Sequence, residues 1–359
     1  MNRFACTIFL FFGMGLAFYV RIPDAYAKVP ISFADVAEGA LPGVVNIRTT
    51  SYIRRDPSMD LYQFFLGGNV PPSSTHSIGT GFVMDRKGRI VTNSHVVKGA
   101  AVIEVLFAKS KQKVRAKVVG FDTKTDLALL QLQKNLELTP LPLGDSDALR
   151  VGDIVLAIGN PFGFSHTVTS GIISAKGRVI GTGPYDDFLQ TDASIHPGNS
   201  GGPLLDAEGR VIGINTAVSA EGQGIGFAIP INMAKVVIKD LIDFGKVKRP
   251  FLGVVGKDIL STEDVDEGSS PEVHGFLITN LIMNGPAHRV GLKIGDLVMG
   301  FDDKKVVDLN HMQRLLYGKS PADRIRLKIY RRGRGFLNVA VNLEEVPPPK
   351  DLPPEKDLF

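Results

Sequence analysis

A hairpin in the first third of the chain decides the fold class. Two short apolar runs, Gly81-Phe82-Val83-Met84 and Ile90-Val91-Thr92, flank the polar segment Asp85-Arg86-Lys87-Gly88. Apolar runs on both sides of a polar, glycine-containing turn are typical of a β-hairpin. Glycine is abundant, at 39 of 359 residues, and this favours turn-rich β structure over a helical bundle. The sequence therefore predicts a mainly β protein.

Candidate strands continue on both sides of a join near Leu136–Leu149. Before the join they are predicted at Ala101–Phe107, Val114–Phe121 and Asp126–Leu132. After it they are predicted at Ile154–Ile158, Thr167–Ala175, Phe188–Asp192, Pro203–Leu205, Val211–Ala217 and Gly224–Ile229. Many short strands at regular spacing are typical of barrels or sandwiches, and two groups of about six predict two similar barrels. The stretch between Tyr52 and His76 has no clear periodicity and is an interaction loop or a disordered excursion.

The pattern changes towards the C-terminus. Apolar residues recur at helical intervals from Ile231 to Gly245, and this glycine is a typical C-cap. A basic linker follows at Lys246–Pro250. Short strands and helices then mix over residues 251–345, with strands predicted at Phe251–Val255, Gly275–Asn280, Leu297–Phe301, Lys305–Val307 and Arg324–Tyr330, and helices at Pro286–Val290 and Asn310–Leu316. Residues 346–359 form a proline-rich tail that we expect to be extended.

The N-terminus predicts export. Arg3 precedes the apolar run Phe4–Val20, which leads to Ala25-Tyr26-Ala27. A basic start, an apolar core and an A-x-A site in this order are typical of a secretory signal over residues 1–27. An uncleaved inner-membrane anchor is the alternative. Cys6, the only cysteine, lies in this segment, so the cleaved chain would have no cysteine nucleophile, disulfide or thiolate metal site.

The charge balance argues against nucleic acid as a partner. Lysine and arginine number 41 against 37 acidic residues, a formal charge of +4 without a concentrated basic face. Gly222-Gln223-Gly224-Ile225-Gly226 has dinucleotide-loop spacing, but a candidate strand follows it where a Rossmann unit needs a helix. The segment is therefore not interpreted as a dinucleotide-binding loop. We expect no cofactor and no metal.

The strongest local signal is Gly198-Asn199-Ser200-Gly201-Gly202-Pro203. A serine nucleophile needs an exposed hydroxyl and backbone N–H groups aimed at the developing oxyanion. Glycines can turn such N–H groups inward and leave room for a substrate. A simple glycine-rich turn between strands is the alternative for this segment alone.

A serine nucleophile also needs a base, and the base needs a carboxylate that orients it. His95 follows the run Ile90-Val91-Thr92, and Asp126 opens the apolar run Leu127-Ala128-Leu129-Leu130. Asp122 is the competing carboxylate. A structural role is the alternative for each of these residues taken singly.

The combination resembles the HtrA (Deg) serine proteases, chymotrypsin-fold enzymes of the bacterial envelope. The matching segments appear in the family's order across about 150 residues: Gly79-Thr80-Gly81-Phe82, Thr92-Asn93-Ser94-His95-Val96-Val97, Asp122 through Leu130, Gly159-Asn160-Pro161-Phe162-Gly163, Gln190-Thr191-Asp192-Ala193, Gly198 through Pro203, and Gly226-Phe227-Ala228-Ile229-Pro230. The resemblance implies two six-stranded β-barrels in a protease domain over residues 28–245. It places His95 and Asp126 on the first barrel and Ser200 on the second.

The resemblance also assigns roles. Ser200 is the implied nucleophile, His95 the general base and Asp126 its orienting acid, with the N–H groups of Gly198 and Ser200 as oxyanion donors. Ile195 and Ile225 are candidate walls of the substrate pocket, which would suit a small or medium aliphatic side chain. The segment before the serine departs from the family's frequent pattern and contains His196, which we interpret as a loop residue and not as the base.

Residues 251–345 resemble the PDZ domain in its bacterial form. The matches are Phe251-Leu252-Gly253-Val254, Gly275-Phe276-Leu277-Ile278, Gly285-Pro286-Ala287, Gly291 through Asp296, and the helix near Asn310–Leu316. Such domains add a peptide as a strand at a sheet edge, and a backbone loop receives the peptide carboxylate. Phe251, Leu252 and Gly253 form the matching loop.

These resemblances imply a periplasmic serine endopeptidase that acts on unfolded or misassembled proteins and binds C-terminal peptides through one PDZ domain. They also imply a homotrimer or a multiple of trimers. The rival interpretation is a chaperone or peptide-sensing protein whose protease site is resting or regulated.

Overall fold

The computed structural model describes residues 32–52, 74–107, 112–159, 167–181, 185–196, 198–218, 224–259 and 274–346. The predicted signal segment, almost all of the stretch between Tyr52 and His76, and the proline-rich tail lie outside these residues. Residues from Ala34 onward form one compact unit. No helix within the described ranges is long and apolar enough to cross a membrane.

The first barrel closes six antiparallel strands in the order β1-β2-β3-β6-β5-β4. A short helix α1, Ala34–Ala40, and a 3₁₀ turn, Leu41–Gly43, precede it. Its core is filled by aliphatic side chains that alternate inward along the strands, such as Ile103 and Val105 on β4. The bounds are β1 Val44–Tyr52, β2 Ser74–Val83, β3 Arg89–Asn93, β4 Val102–Phe107, β5 Lys113–Asp122 and β6 Leu127–Leu132, with helix α2 at Ser94–Val97 between β3 and β4.

The second barrel closes the next six strands in the order β10-β11-β12-β9-β8-β7. The bounds are β7 Ile154–Gly159, β8 Thr167–Arg178, β9 Phe188–Thr191, β10 Pro203–Asp206, β11 Val211–Val218 and β12 Gly226–Pro230. The segment that joins the barrels has one isolated bridge, from Leu143 to Val211. The prediction of a mainly β protein with two six-stranded barrels is confirmed.

A helix closes the barrel unit, as the sequence predicts. Helix α3 spans Ile231–Phe244 and ends at Gly245, whose φ of 69° is the left-handed cap conformation. Its buried face includes Val237 and Leu241. A side chain at Gly120 of β5 would lie 2.5 Å from the carbonyl oxygen of Gly245, so glycine permits the close approach of helix and strand.

The C-terminal domain is a five-strand path, β14-β15-β16-β18-β19, with β17 beside β16 and a separate β13–β20 pair. Its core is a single cluster that includes Phe276, Phe301 and Met312. The strands are β13 Pro250–Phe251, β14 Val254–Asp258, β15 Phe276–Leu281, β16 Leu297–Phe301, β17 Lys304–Lys305, β18 Arg324–Arg331, β19 Gly335–Asn342 and β20 Glu344–Glu345; the helices are α4 Pro286–Arg289 and α5 Leu309–Tyr317.

One predicted strand is broken. The sequence predicts a continuous strand at Phe251–Val255, but β13 ends at Phe251 and β14 begins at Val254. Gly253 has a φ of 80°, and the carbonyls of Leu252 and Gly253 accept hydrogen bonds from Ala287 and Ile282. These bonds draw the chain out of the sheet.

The linker ties the C-terminal domain to the barrels through a buried ion pair. Arg249 Nη2 lies 2.5 Å from Asp122 Oδ2, and both side chains are at most one-tenth exposed. The Arg249 guanidinium also lies over the ring of Tyr185, 4.8 Å from its centroid. Tyr185 in turn contacts Tyr317 of α5, with 5.5 Å between ring centroids.

Candidate active site

The first barrel brings His95 and Asp126 into direct contact. His95 is exposed on α2, immediately after β3, and its Nδ1 lies 2.7 Å from Asp126 Oδ2. Asp126 precedes β6, the strand that pairs with β3, so sheet register brings the two residues together. This contact orients the imidazole and leaves its Nε2 free for another partner.

A residue of the second barrel completes the surroundings of this carboxylate. Thr216 of β11 donates its hydroxyl to Asp126 Oδ2 at 2.7 Å. Burial alone raises the pKa of the Asp126 carboxyl, but the hydrogen bond and charge of His95 and the hydrogen bond from Thr216 outweigh it. The pKa of Asp126 therefore lies below its ordinary value, and the group is ionised at neutral pH.

Ser200 lies in the glycine-rich turn before β10. Its Oγ donates to the carbonyl oxygen of Thr216 at 3.2 Å. The same threonine therefore contacts the serine through its backbone and Asp126 through its side chain. Residues of the two barrels meet at this point, as the resemblance implies.

The first barrel also holds the serine turn. Thr80 of β2 donates its hydroxyl to the carbonyl of Gly198 at 2.6 Å, and its backbone N–H donates to the carbonyl of Ser200 at 2.9 Å. Gly201 has a φ of 84°, and a side chain there would lie 2.2 Å from the Thr80 carbonyl oxygen. Only glycine fits this position.

Two backbone N–H groups of the turn are available to a ligand. Gly198 has a φ of 102°, a conformation that favours glycine. Among the described residues, neither the Gly198 N–H nor the Ser200 N–H has a protein acceptor, whereas the Asn199 N–H donates to the His196 carbonyl at 2.9 Å. The free pair is the type of donor set that binds an oxyanion.

The two competing residues lie elsewhere. Asp122 accepts hydrogen bonds from the backbone N–H and the hydroxyl of Thr125 and forms an ion pair with Arg249. Its carboxylate therefore stabilises the junction between the barrels and the C-terminal domain. His196 is exposed, and its backbone carbonyl accepts a hydrogen bond from the Asn199 N–H. Neither residue takes the place of Asp126 or His95 at this site.

The suggested pocket residues differ in burial. Ile195 is 5% exposed and packs into the core of the second barrel, whereas Ile225 is half-buried. Gly226, which follows Ile225, lies next to Ile195: a side chain at Gly226 would lie 2.9 Å from Ile195 Cδ1. Glycine at this position therefore leaves room for the Ile195 side chain.

Thr216 is a site residue that the sequence reasoning missed. It lies on β11, 90 residues after Asp126. A threonine inside a strand is an ordinary β-forming residue, so no local pattern marks it. Only the pairing of the two barrels reveals its contact with Asp126.

The C-terminal domain presents a second candidate site. Within the part of the chain that the structure describes, its strand β14 pairs only with β15, and its other edge is open beside helix α5. The loop Phe251–Gly253 leads into this strand. Among the residues that the structure describes, none accepts a hydrogen bond from the backbone N–H groups of Leu252 and Gly253. An open edge next to free backbone donors is the arrangement that binds a peptide C-terminus.

The two barrels with a serine, a histidine and an aspartate at their junction define a trypsin-like serine peptidase fold, followed by a peptide-binding domain. Comparison with known families agrees: the trypsin-like peptidase domain matches residues 79–214, and the PDZ domain matches residues 250–343.

The chain belongs to the DegP-like, HtrA-type family of serine proteases. It is 35% identical over 372 residues to a probable periplasmic serine endoprotease DegP-like of Pseudomonas fulva, which covers 95% of this chain and 75% of the relative. It is 45% identical to the protein of the same name from Chlamydia muridarum over 75% of this chain, but it spans only 54% of that relative's length.

Solved structures give the same family. HtrA-type protease AlgW with a decapeptide superimposes with a TM-score of 0.73 at 37% identity, covering 89% of this chain and 100% of the AlgW chain. The serine endoprotease from Yersinia pestis gives a TM-score of 0.64 at 32% identity, covering 89% and 100% of the two chains.

Proposed function

We propose that this protein is an exported serine endopeptidase that cleaves unfolded or misassembled proteins of the cell envelope. The observation that carries the proposal is the 2.7 Å contact between His95 and Asp126, with Ser200 linked to the same carboxylate through Thr216. A base, its orienting acid and a serine in a glycine-rich turn are the parts that acyl transfer requires.

His95 acts as the base in this scheme. Its Nδ1–H donates to the ionised Asp126, so Nε2 carries the lone pair that takes the proton of Ser200. For this step the Ser200 hydroxyl turns from the Thr216 carbonyl to Nε2 and attacks the scissile carbonyl carbon. The resulting imidazolium, stabilised by Asp126, then protonates the leaving amine.

The N–H groups of Gly198 and Ser200 stabilise the oxyanion that forms during the attack. Loss of a single donor of this kind typically costs about 10²–10³ in kcat. The Gly198 conformation, with φ of 102°, supports this assignment because it turns the peptide away from the usual extended direction. Ile195 and Ile225 form the pocket for a small or medium aliphatic side chain before the scissile bond.

The C-terminal domain captures peptide ends in this proposal. A peptide adds to the open edge of β14, and its carboxylate binds at Phe251, Leu252 and Gly253. The similarity to AlgW structures that contain peptides supports this role. The proposed domains are a signal peptide or anchor at 1–27, the protease domain at 28–245, a linker at 246–250, the PDZ domain at 251–345 and the tail at 346–359.

The proposed location is the periplasm, supported by relatives that are named periplasmic. Mass spectrometry of protein from the envelope tests the signal: cleavage after Ala27 predicts a mature chain that starts at Lys28. A full-length species in the membrane fraction would support the anchor. A homotrimer, or a multiple of trimers, is the proposed assembly, and light scattering of the purified chain measures it.

The second candidate function is a chaperone or peptide sensor with a resting protease site. The Ser200 hydroxyl donates to the Thr216 carbonyl and not to His95, and this arrangement favours a resting state of this kind. A fluorophosphonate probe separates the two candidates. We expect it to modify Ser200 in the full chain, located by peptide mapping. Modification only after a C-terminal peptide is added would indicate a regulated enzyme.

A further inference from the structure

Asp126 has a backbone conformation that its neighbours must enforce. Its φ of 54° is in the left-handed region, which residues other than glycine seldom adopt. The start of α2 supplies the enforcing contacts. Asn93 Nδ2 and the Ser94 N–H donate to the Asp126 carbonyl at 2.9 and 3.1 Å.

Ser94 makes a further contact with the side chain of Asp126. Its Oγ lies 2.9 Å from Asp126 Oδ1, next to the His95 N–H, which donates to the same oxygen at 3.0 Å. An ionised carboxylate only accepts hydrogen bonds, so the Ser94 hydroxyl is the donor. Ser94 is 3% exposed, and water therefore has little access to the hydroxyl.

These contacts account for all the accepting capacity of the carboxylate. Oδ2 accepts from His95 Nδ1 and from Thr216, while Oδ1 accepts from the His95 N–H and from Ser94. A carboxylate has about four lone-pair sites, so each of its oxygens is held from two directions. Rotation of the carboxylate away from His95 would break all four bonds.

We propose that Ser94 is a positioning residue that fixes the Asp126 carboxylate in the plane where it orients His95. The proposal rests on the proposed protease function. Helix capping does not explain the hydroxyl, because the side chain donates across to Asp126 and α2 is only four residues long.

Loss of the hydroxyl has a direct consequence for His95. Oδ1 keeps only the backbone donor, so the carboxylate gains rotational freedom and the imidazole is less well oriented. A purely structural serine would change stability without changing the rate at which the folded protein is acylated at Ser200.

The test measures how fast a fluorophosphonate acylates Ser200 in the full chain, at a temperature where calorimetry shows every variant to be folded. Ser94→Ala is expected to label about three- to tenfold more slowly under these conditions. Ser94→Thr, which keeps the hydroxyl, is expected to recover most of the rate. Ser146→Ala is the matched control, because Ser146 is a buried serine that accepts from the Asn232 N–H away from this site.

The outcomes separate this inference from the proposed function. Labelling of the wild type at Ser200, with an unchanged rate in Ser94→Ala, would overturn the positioning role alone. A lowered Tm in Ser94→Ala with a wild-type labelling rate in the folded protein would reduce Ser94 to a structural residue and overturn it too. If Ser94→Ala does not fold, Ser94→Cys, with its weaker donor, is expected to give an intermediate rate; a wild-type rate would contradict the inference. A wild type that is never labelled would overturn both.

Discussion

Asp187, which lies between the second barrel and the C-terminal domain, gives a quantitative test of the domain junction. Its side chain is 28% exposed and forms an ion pair with Arg314 of α5, in which Arg314 Nε lies 3.6 Å from Asp187 Oδ1. Burial raises the pKa of Asp187 to about 6, because the attraction of Arg314 does not offset the loss of water and the repulsion of Asp147. We therefore expect Asp187→Asn to stabilise the protein at neutral pH.

The sign follows from proton linkage. Between the unfolded value of 3.8 and the folded value of about 6, the folded protein binds more protons than the unfolded chain, so this group lowers stability as pH rises. The difference of about 2 pKa units corresponds to roughly 3 kcal/mol as an upper bound at pH 7.5. Loss of the Arg314 pair opposes the gain, so the net expectation is about 1–2 kcal/mol, or roughly 2–6 °C in Tm.

Calorimetry of the full chain at pH 7.5 and pH 4.5 measures the effect. The gain in Tm for Asp187→Asn should shrink to about a third at pH 4.5, because the folded wild-type carboxyl is then mostly protonated. Asp303→Asn is the control, since Asp303 is exposed and its replacement should change stability by less than about 0.5 kcal/mol at either pH. Equal gains at both pH values, or a loss at pH 7.5, would refute the reasoning.

Three further predictions address the site and the linker. Gly201→Ala should abolish casein cleavage and lower the Tm, because its methyl group would lie 2.2 Å from a backbone oxygen of the first barrel; a folded, active variant would contradict the close packing. His95→Ala should lose casein cleavage by about 10⁴-fold or more while His196→Ala stays within about threefold, and equal losses in two well-folded variants would argue against His95 as the sole base. Arg249→Met should cost about 3–5 kcal/mol in chemical denaturation because the Asp122 charge is left buried without its ion-pair partner. Adding Asp122→Asn, which removes the charge but keeps an oxygen that can accept from Thr125, should recover most of this loss; no recovery would show that the ion pair is not the source.

The barrels and the helix that closes the barrel unit were predictable because their patterns are local. Alternating apolar runs predict strands such as β3 and β6, and the helical spacing that ends at Gly245 predicts α3 with its left-handed cap. The ordered set of family segments predicts the meeting of His95 and Asp126. The break at Leu252 was missed because carbonyl bonds to Ala287, which is distant in sequence, cause it.

Other features depend on contacts that no local pattern encodes. Asp122 and Arg249 are 127 residues apart, and each is an ordinary charged residue in its own segment. Nothing in the local sequence distinguishes Ser94 from an ordinary serine, because its hydroxyl contacts Asp126, which follows 32 residues later. The φ of 54° at Asp126 likewise goes with hydrogen bonds from the start of α2 and not with its own sequence neighbours. Such contacts appear only once the strands are paired.

Cleavage of an unfolded protein tests the central claim most directly. Wild-type protein and Ser200→Ala, purified identically and shown by calorimetry to be equally folded, are incubated with casein, with and without a C-terminal peptide. We predict that the wild type cleaves casein and that Ser200→Ala loses about 10⁴–10⁶ of the rate. Comparable cleavage by the two proteins, or no cleavage by the wild type under either condition, would contradict the account.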